Sequence, residues 1–150
     1  MTVRSDAHTN DQPSALADKI GRVLLALCAI ATLGAFTYGI SILFTVSPDR
    51  LMSEAWRTLA YLVFIGLYIM IITAPRNQRG PWELIFLHKI AITVFGIVAA
   101  ASNTPDAATT WPIDLSLVAA TAVAYVLCRG WQGWRTNPTT ASAIRTRSTR

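Results

Sequence analysis

The stretch VLLALCAIATLGAFTYGISILFTV, residues 23–46, decides the fold of this chain. Its 24 residues exceed the roughly 20 that an α-helix needs to cross about 30 Å of hydrocarbon. A helix on the surface of a soluble bundle shows a polar stripe at 3.6-residue spacing, yet this stretch has no charged position. The stretch therefore predicts a transmembrane helix.

The composition of the whole chain agrees with a membrane protein. Of its 150 residues, 53% are hydrophobic and only 14% are charged, where soluble domains carry roughly a quarter charged residues. The length allows one domain. These values exclude a conventional water-soluble enzyme.

Three further apolar segments follow, and together with the first they predict spans at about 23–46, 56–74, 82–102 and 112–128. Ser47, Pro48 and Asp49 stand in the order of a helix cap, a first-turn proline and an acid, so the second helix is expected to begin near Pro48. Pro81 and Pro112 indicate the starts of the third and fourth helices in the same way. We expect an all-α integral membrane protein with four helices in an antiparallel up-down bundle.

The tryptophans support these boundaries, because indole rings prefer the interface between headgroups and hydrocarbon. Every tryptophan falls at a predicted span end, and none falls in the middle of a span. The predicted interfacial anchors are Trp56, Trp82, Trp111, Trp131 and Trp134, together with Arg135.

Lysine and arginine counts predict the orientation, since cytoplasmic flanks hold more of them. Eleven of these residues fall on the side of the two termini and only Arg50 and Arg57 on the other. We expect a bacterial inner-membrane protein with both termini in the cytoplasm, where anionic lipid headgroups are its partners. This bias accounts for the net charge of +5, so nucleic acid is not expected as a partner. The chain divides into a disordered tail at 1–18, a membrane domain at 19–135 and a disordered basic tail at 136–150.

Helices in lipid pack through small side chains that allow close approach. Residues of this kind recur at steps of three and four on the first, third and fourth helices. The predicted packing residues are Ala31, Gly34, Ala35, Gly96, Ala100, Ser116, Ala120 and Ala124. The second helix is bulky almost all round, so we expect it to face lipid or a partner.

Lys89 is the first candidate for a functional site, because an ionisable residue within a span marks one by default. It shares a helix face with Thr93 and Gly96 and would point into the bundle on that reading. The other reading is snorkelling, in which the long stem carries the ammonium group back to the headgroups. Tyr38 and Thr93 are the side chains expected to line a cleft near Lys89.

His88 and Glu83 complete the candidate set for ligand or headgroup contacts. A single intramembrane histidine cannot hold a metal or haem without helpers, and the second histidine, His8, lies in the amino-terminal tail. We therefore expect no metal and no cofactor. Glu83 stands in the first turn of the third helix, where a carboxylate is favoured by the helix dipole. Alternatively, Glu83 or Asp18 pairs with Lys89 across the cytoplasmic end of the bundle, either between helices, between protomers or through lipid.

All eight acidic residues are assigned to tails, connections or span ends, with Asp114 closing the third connection. Proton relay and ion-coupled transport need acids at mid-depth, and no catalytic triad, metal-spaced cluster or phosphate loop is visible. The sequence thus favours a small polytopic protein without catalytic activity, an accessory or interaction subunit that binds a membrane protein or a second copy. The alternative is binding or transport of a small amphipathic or lipid-like molecule in a cytoplasm-facing cleft near Lys89. An enzyme acting on a membrane-embedded substrate ranks third.

Overall fold

A computed structural model describes residues 12–134 and contains four long helices. They are α1 (Ala15–Leu43), α2 (Pro48–Thr73), α3 (Pro81–Ala101) and α4 (Ala107–Cys128), followed by a short 3-10 helix, Gly130–Trp134. Each long helix is sufficiently long and apolar to cross a membrane. The described part of the chain is therefore all-helical, with the four spans of a multi-pass membrane protein.

Two of the predicted helix starts are confirmed. Pro48 opens α2 after the cap residue Ser47, and Pro81 opens α3 after Gly80. Proline suits these positions because its missing N–H lies among those that a helix start leaves unpaired, and its fixed φ already matches the helix. Gly80 has a φ of +100°, a backbone conformation that residues with a Cβ atom rarely adopt.

The other two starts differ from the prediction. α4 begins at Ala107 rather than Pro112, which lies inside the helix and costs it one backbone hydrogen bond. α1 begins at Ala15, where the Ser14 hydroxyl accepts a hydrogen bond from the Ala17 amide at 3.2 Å. The first helix thus extends into the tail predicted at 1–18. The remaining tail residues, 1–11 and 135–150, lie outside the described residues, and Arg135 is among them.

The helices pack unequally. α1 lies against both α2 and α4, and α4 lies against α3, whereas α2 and α3 touch only slightly. The buried residues of α1 are Gly21, Leu25, Cys28, Thr32 and Gly39. These steps of three and four are typical of left-handed bundles with small crossing angles.

The packing face of α1 corrects the sequence-based expectation. Ala31 and Gly34 are exposed, and only Ala35 of the predicted residues is half-buried. The buried stripe contains Gly39 instead, where an added Cβ would lie 2.5 Å from the hydroxyl oxygen of Thr58 on α2. Both stripes have small residues at helical spacing, so the choice between them depends on the shape of the neighbouring helix.

On α3 and α4 the predicted packing residues are mostly turned inward. Gly96 is buried, and an added Cβ there would lie 2.8 Å from Cβ of Trp111. Ala124 is fully buried, and Ala100 and Ala120 are half-buried. Ser116 differs, because it is exposed and donates its hydroxyl to the carbonyl of Ile113 in its own helix.

The small-residue contacts predict unequal effects for two glycines of α1. Gly39→Ala should destabilise the bundle by about 1–3 kcal/mol, because the added methyl group overpacks the contact with Thr58. Gly34→Ala should be neutral or stabilising by about 0.5–1 kcal/mol, since no atom lies within 4 Å of the added Cβ and alanine favours the helix. Thermal unfolding in detergent measures both variants. Equal melting temperatures would contradict the assigned face.

Candidate functional site

Lys89 and Asp114 form an ion pair in the interior of the bundle. The amino group of Lys89 on α3 lies 2.7 Å from Oδ1 of Asp114 on α4. The two residues are only 4% and 8% exposed. Lys89 is eight residues past Pro81 and therefore about 12 Å along the helix at 1.5 Å per residue. The pair thus lies near the middle of the spans.

The helix boundaries bring the two charges together. Because α4 begins at Ala107, Asp114 is two helical turns inside the span rather than in the preceding connection. Its face continues at seven-residue steps to Thr121 and Cys128, which are both buried. The assignment of Asp114 to a connection is therefore wrong.

The second helix covers the pair from the side with an aromatic ring. The amino group of Lys89 lies 5.2 Å from the ring centroid of Phe64, within the range of a cation–π interaction. The imidazole of His88 packs against the same ring, with centroids 4.6 Å apart. Phe64 thus separates the ion pair from the seam between α2 and α3.

His88 lies in that seam and is exposed, although it is within the predicted span. Thr93 is buried next to Lys89 and donates its hydroxyl to the Lys89 carbonyl at 2.7 Å. Tyr38 is 69% exposed on the outer face of α1, so it does not line a cleft together with Lys89 and Thr93.

Glu83 lies away from Lys89. One of its carboxylate oxygens accepts the Gly80 amide at 3.0 Å, which caps α3, and the other accepts the Trp134 indole N–H at 2.5 Å. Trp134 belongs to the short 3-10 helix, where the carbonyl of Gly133 accepts a hydrogen bond from Arg79 at 2.7 Å. Glu83 therefore fixes the end of the bundle instead of pairing with Lys89.

The predicted anchors occupy different environments. Trp56 is 74% exposed, whereas Trp82 is fully buried and donates its indole N–H to the Pro75 carbonyl at 3.0 Å. Trp82 is thus a packing residue of the bundle and corrects the expectation of an exposed anchor. Trp111 and Trp131 are half-buried.

A second charged cluster lies at the end of the bundle where Asp18, Arg76 and Cys128 meet. This end is called the tail end. Asp18 accepts hydrogen bonds from Arg22 at 2.8 Å and from Arg76 at 2.5 Å. Arg22 also donates to the carbonyl of Ile72 on α2. The thiol of Cys128 lies 3.8 Å from the Asp18 carbonyl oxygen. The cluster thus ties the ends of α1, α2 and α4 together.

Sequence reasoning missed Asp114, Phe64 and the buried hydroxyl pair of Tyr68 and Thr121, whose oxygens are 3.3 Å apart. The seven-residue spacing of Asp114, Thr121 and Cys128 was the available signal, because residues seven apart share a helix face. This spacing identifies a buried face only if α4 begins before Pro112, so that Asp114 lies inside the helix.

Among the described residues, each buried charged side chain lies beside an opposite charge: Lys89 is paired with Asp114, and Glu54 with Arg50 and Arg57. Among residues 12–134, no group of three His, Cys, Asp or Glu side chains could hold a metal ion. Comparisons with family models, curated proteins and solved structures find no match to this chain.

The interior ion pair predicts strong coupling between its two members. Lys89→Met should destabilise the bundle by about 3–5 kcal/mol, because it leaves a buried carboxylate without its counter-charge. The double variant Lys89→Met with Asp114→Leu should recover most of that loss, since no charge remains in the interior. Denaturant unfolding in micelles measures the coupling. Additive losses in the double variant would contradict the assigned pair.

The charged cluster at the tail end gives a second prediction. Asp18→Ala should destabilise the bundle by about 2 kcal/mol, because two arginines lose a charged hydrogen-bond acceptor. Asp49→Ala is the control: this exposed acid in the first turn of α2 contributes only through the helix dipole, by about 0.3–1 kcal/mol. Melting temperatures in detergent compare the two variants, and equal losses would argue against the cluster.

Proposed function

We propose that the four helices cross a bacterial inner membrane in an antiparallel up-down bundle with both termini in the cytoplasm. The contacts at the tail end support this arrangement, since the start of α1 meets the ends of α2 and α4 there. The positive residues support the orientation: Lys19, Arg22, Arg76, Arg79 and Arg129 all lie near this end. Cytoplasmic flanks are enriched in such residues, which attract anionic headgroups. The residues at 1–11 and 135–150 are cytoplasmic tails on this proposal.

Within that topology the protein acts as a non-catalytic accessory subunit that binds another membrane protein. The observation that carries this proposal is the seam between α2 and α3, which are packed far less closely than α1 on α2, α3 on α4 or α1 on α4. His88 lies exposed in it at the level of Lys89. Its imidazole makes no hydrogen bond to residues 12–134.

A polar side chain that faces hydrocarbon is costly, and interhelical hydrogen bonds offset that cost. A membrane helix docked on the seam would cover the exposed imidazole of His88 and could offer it a hydrogen-bond partner. Lys89 and Asp114 are already neutralised within the bundle. This leaves the lateral seam, rather than an interior cleft, as the surface for interaction.

The association predicts a complex that depends on His88. Affinity purification from native membranes in mild detergent should yield a second polypeptide in fixed stoichiometry, resolved by native mass spectrometry. His88→Ala should reduce its recovery about tenfold, equivalent to the 1.4 kcal/mol of one interhelical hydrogen bond.

Leu33→Ala is the matched control, because Leu33 is 49% exposed on α1, a different helix from those of the seam. Its complex should be recovered unchanged. A lone monomer in the native preparation would overturn the proposal. Equal losses for both variants would show that the seam is not the interface.

A further inference from the structure

The interior of the bundle is divided into a polar and an apolar half. Among residues 12–134, seven polar or charged residues are buried: Thr32, Glu54, Thr58, Lys89, Thr93, Asp114 and Thr121. The end of the bundle opposite to the tail end is called the loop end, because residues 44–47 and 102–106 connect the helices there. Six of the seven residues lie at the level of the ion pair or between it and the loop end. Thr121 is the exception, because it lies two turns further along α4 toward Cys128.

The apolar side chains that are fully buried lie in the opposite half, whereas Ala107 at the loop end and Phe64 beside the pair are 9% and 7% exposed. Leu25, Ile71, Trp82, Ile85 and Ala124 are at most 1% exposed, and all lie between the ion pair and the tail end. They belong to one hydrophobic cluster. This cluster seals the bundle on the tail side of the ion pair.

The polar half contains hydrogen-bonding capacity that the protein does not satisfy. Thr58 is fully buried, and its hydroxyl oxygen has no hydrogen-bond partner among the described residues. Thr32 and Thr93 donate to carbonyls of their own helices at 2.8 Å and 2.7 Å, so their hydroxyl oxygens retain lone pairs for further bonds. Buried polar atoms without a protein partner usually bind ordered water.

We propose that water, and with it protons, reaches the Lys89–Asp114 pair from the loop end but not from the tail end. Asp114 is the nearer target, about 10 Å from the start of α4 at 1.5 Å per residue, whereas Lys89 is about 18 Å from the end of α3. Intramembrane ionisable residues face the bundle interior or a water-filled cavity, and they mark ion and proton pathways. The pair is then the inner end of a one-sided aqueous path.

The groups around the pair are consistent with such a path. α2 contributes Tyr61 on this side, and its side chain is half-buried. α3 contributes His88 beside Lys89. From its buried face, α1 presents the uncharged Thr32 at the level of the pair. Among residues 12–134, the buried charged side chain between the loop end and the pair is Glu54 of α2, which is paired with Arg50 and Arg57.

Thiol accessibility tests this proposal with side chains of matched size. Thr58→Cys and Thr93→Cys place reporters in the polar half, and Thr121→Cys places one beyond the ion pair; all three threonines are at most 5% exposed. The background carries Cys28→Ala and Cys128→Ala, which remove both native thiols. The reagent is a small membrane-impermeant methanethiosulfonate cation, added to either side of sealed vesicles of known orientation.

We expect Thr58→Cys and Thr93→Cys to react at least tenfold faster than Thr121→Cys, and only when the reagent faces the loop end. Equal rates at the three positions, no reaction at any of them, or faster reaction from the tail end would overturn the proposal. Each variant must melt like its background, and Thr32→Cys is a further reporter in the polar half. The reagent reports whether a thiol is accessible from water, whereas the purification experiment reports a partner protein. The two results are therefore independent of each other.

Discussion

The rest of the bundle depends on the ion pair between Lys89 and Asp114. Hydrocarbon cannot solvate a charge, so the two groups must stay within hydrogen-bonding distance, and they lie 2.7 Å apart. That contact fixes both the rotation of α3 and its register along α4. The faces that carry Thr93 and Gly96 on α3, and Thr121 on α4, are turned inward as a consequence.

Close packing then determines which helices are neighbours. α4 uses one side against α3 and another against α1, where Gly21 approaches Cys128. α2 packs on α1 through Thr58 and Gly39. Because lipid tails are as apolar as the helices, such contacts of small residues drive the association in place of hydrophobic burial. The bulky side chains of α2 lack a comparable contact with α3, and this is why the seam beside His88 remains open.

The sequence predicted what depends on local chemistry. Four apolar spans follow from the scarcity of charge, and two helix starts follow from Pro48 and Pro81. It did not predict what depends on shape between helices. Two stripes of small residues compete on α1, and only the neighbouring helices select the one with Gly39. Pro112 has the sequence signature of a helix start, and a helix that began there would hold Asp114 in its first turn instead of two turns inside the span.

The start of α4 at Ala107 determines the charge balance of the bundle interior. With Asp114 in a connection, Lys89 would be an isolated cation, and insertion would cost about 2.5–3.5 kcal/mol unless its stem carried the charge to the headgroups. With Asp114 inside α4, both charges enter the bilayer together, because only residues 102–106 join the two helices. A short connection lowers the entropic cost of bringing the two partners together. Insertion of α3 together with α4 is therefore favoured, since it buries a neutral pair instead of two separate ions.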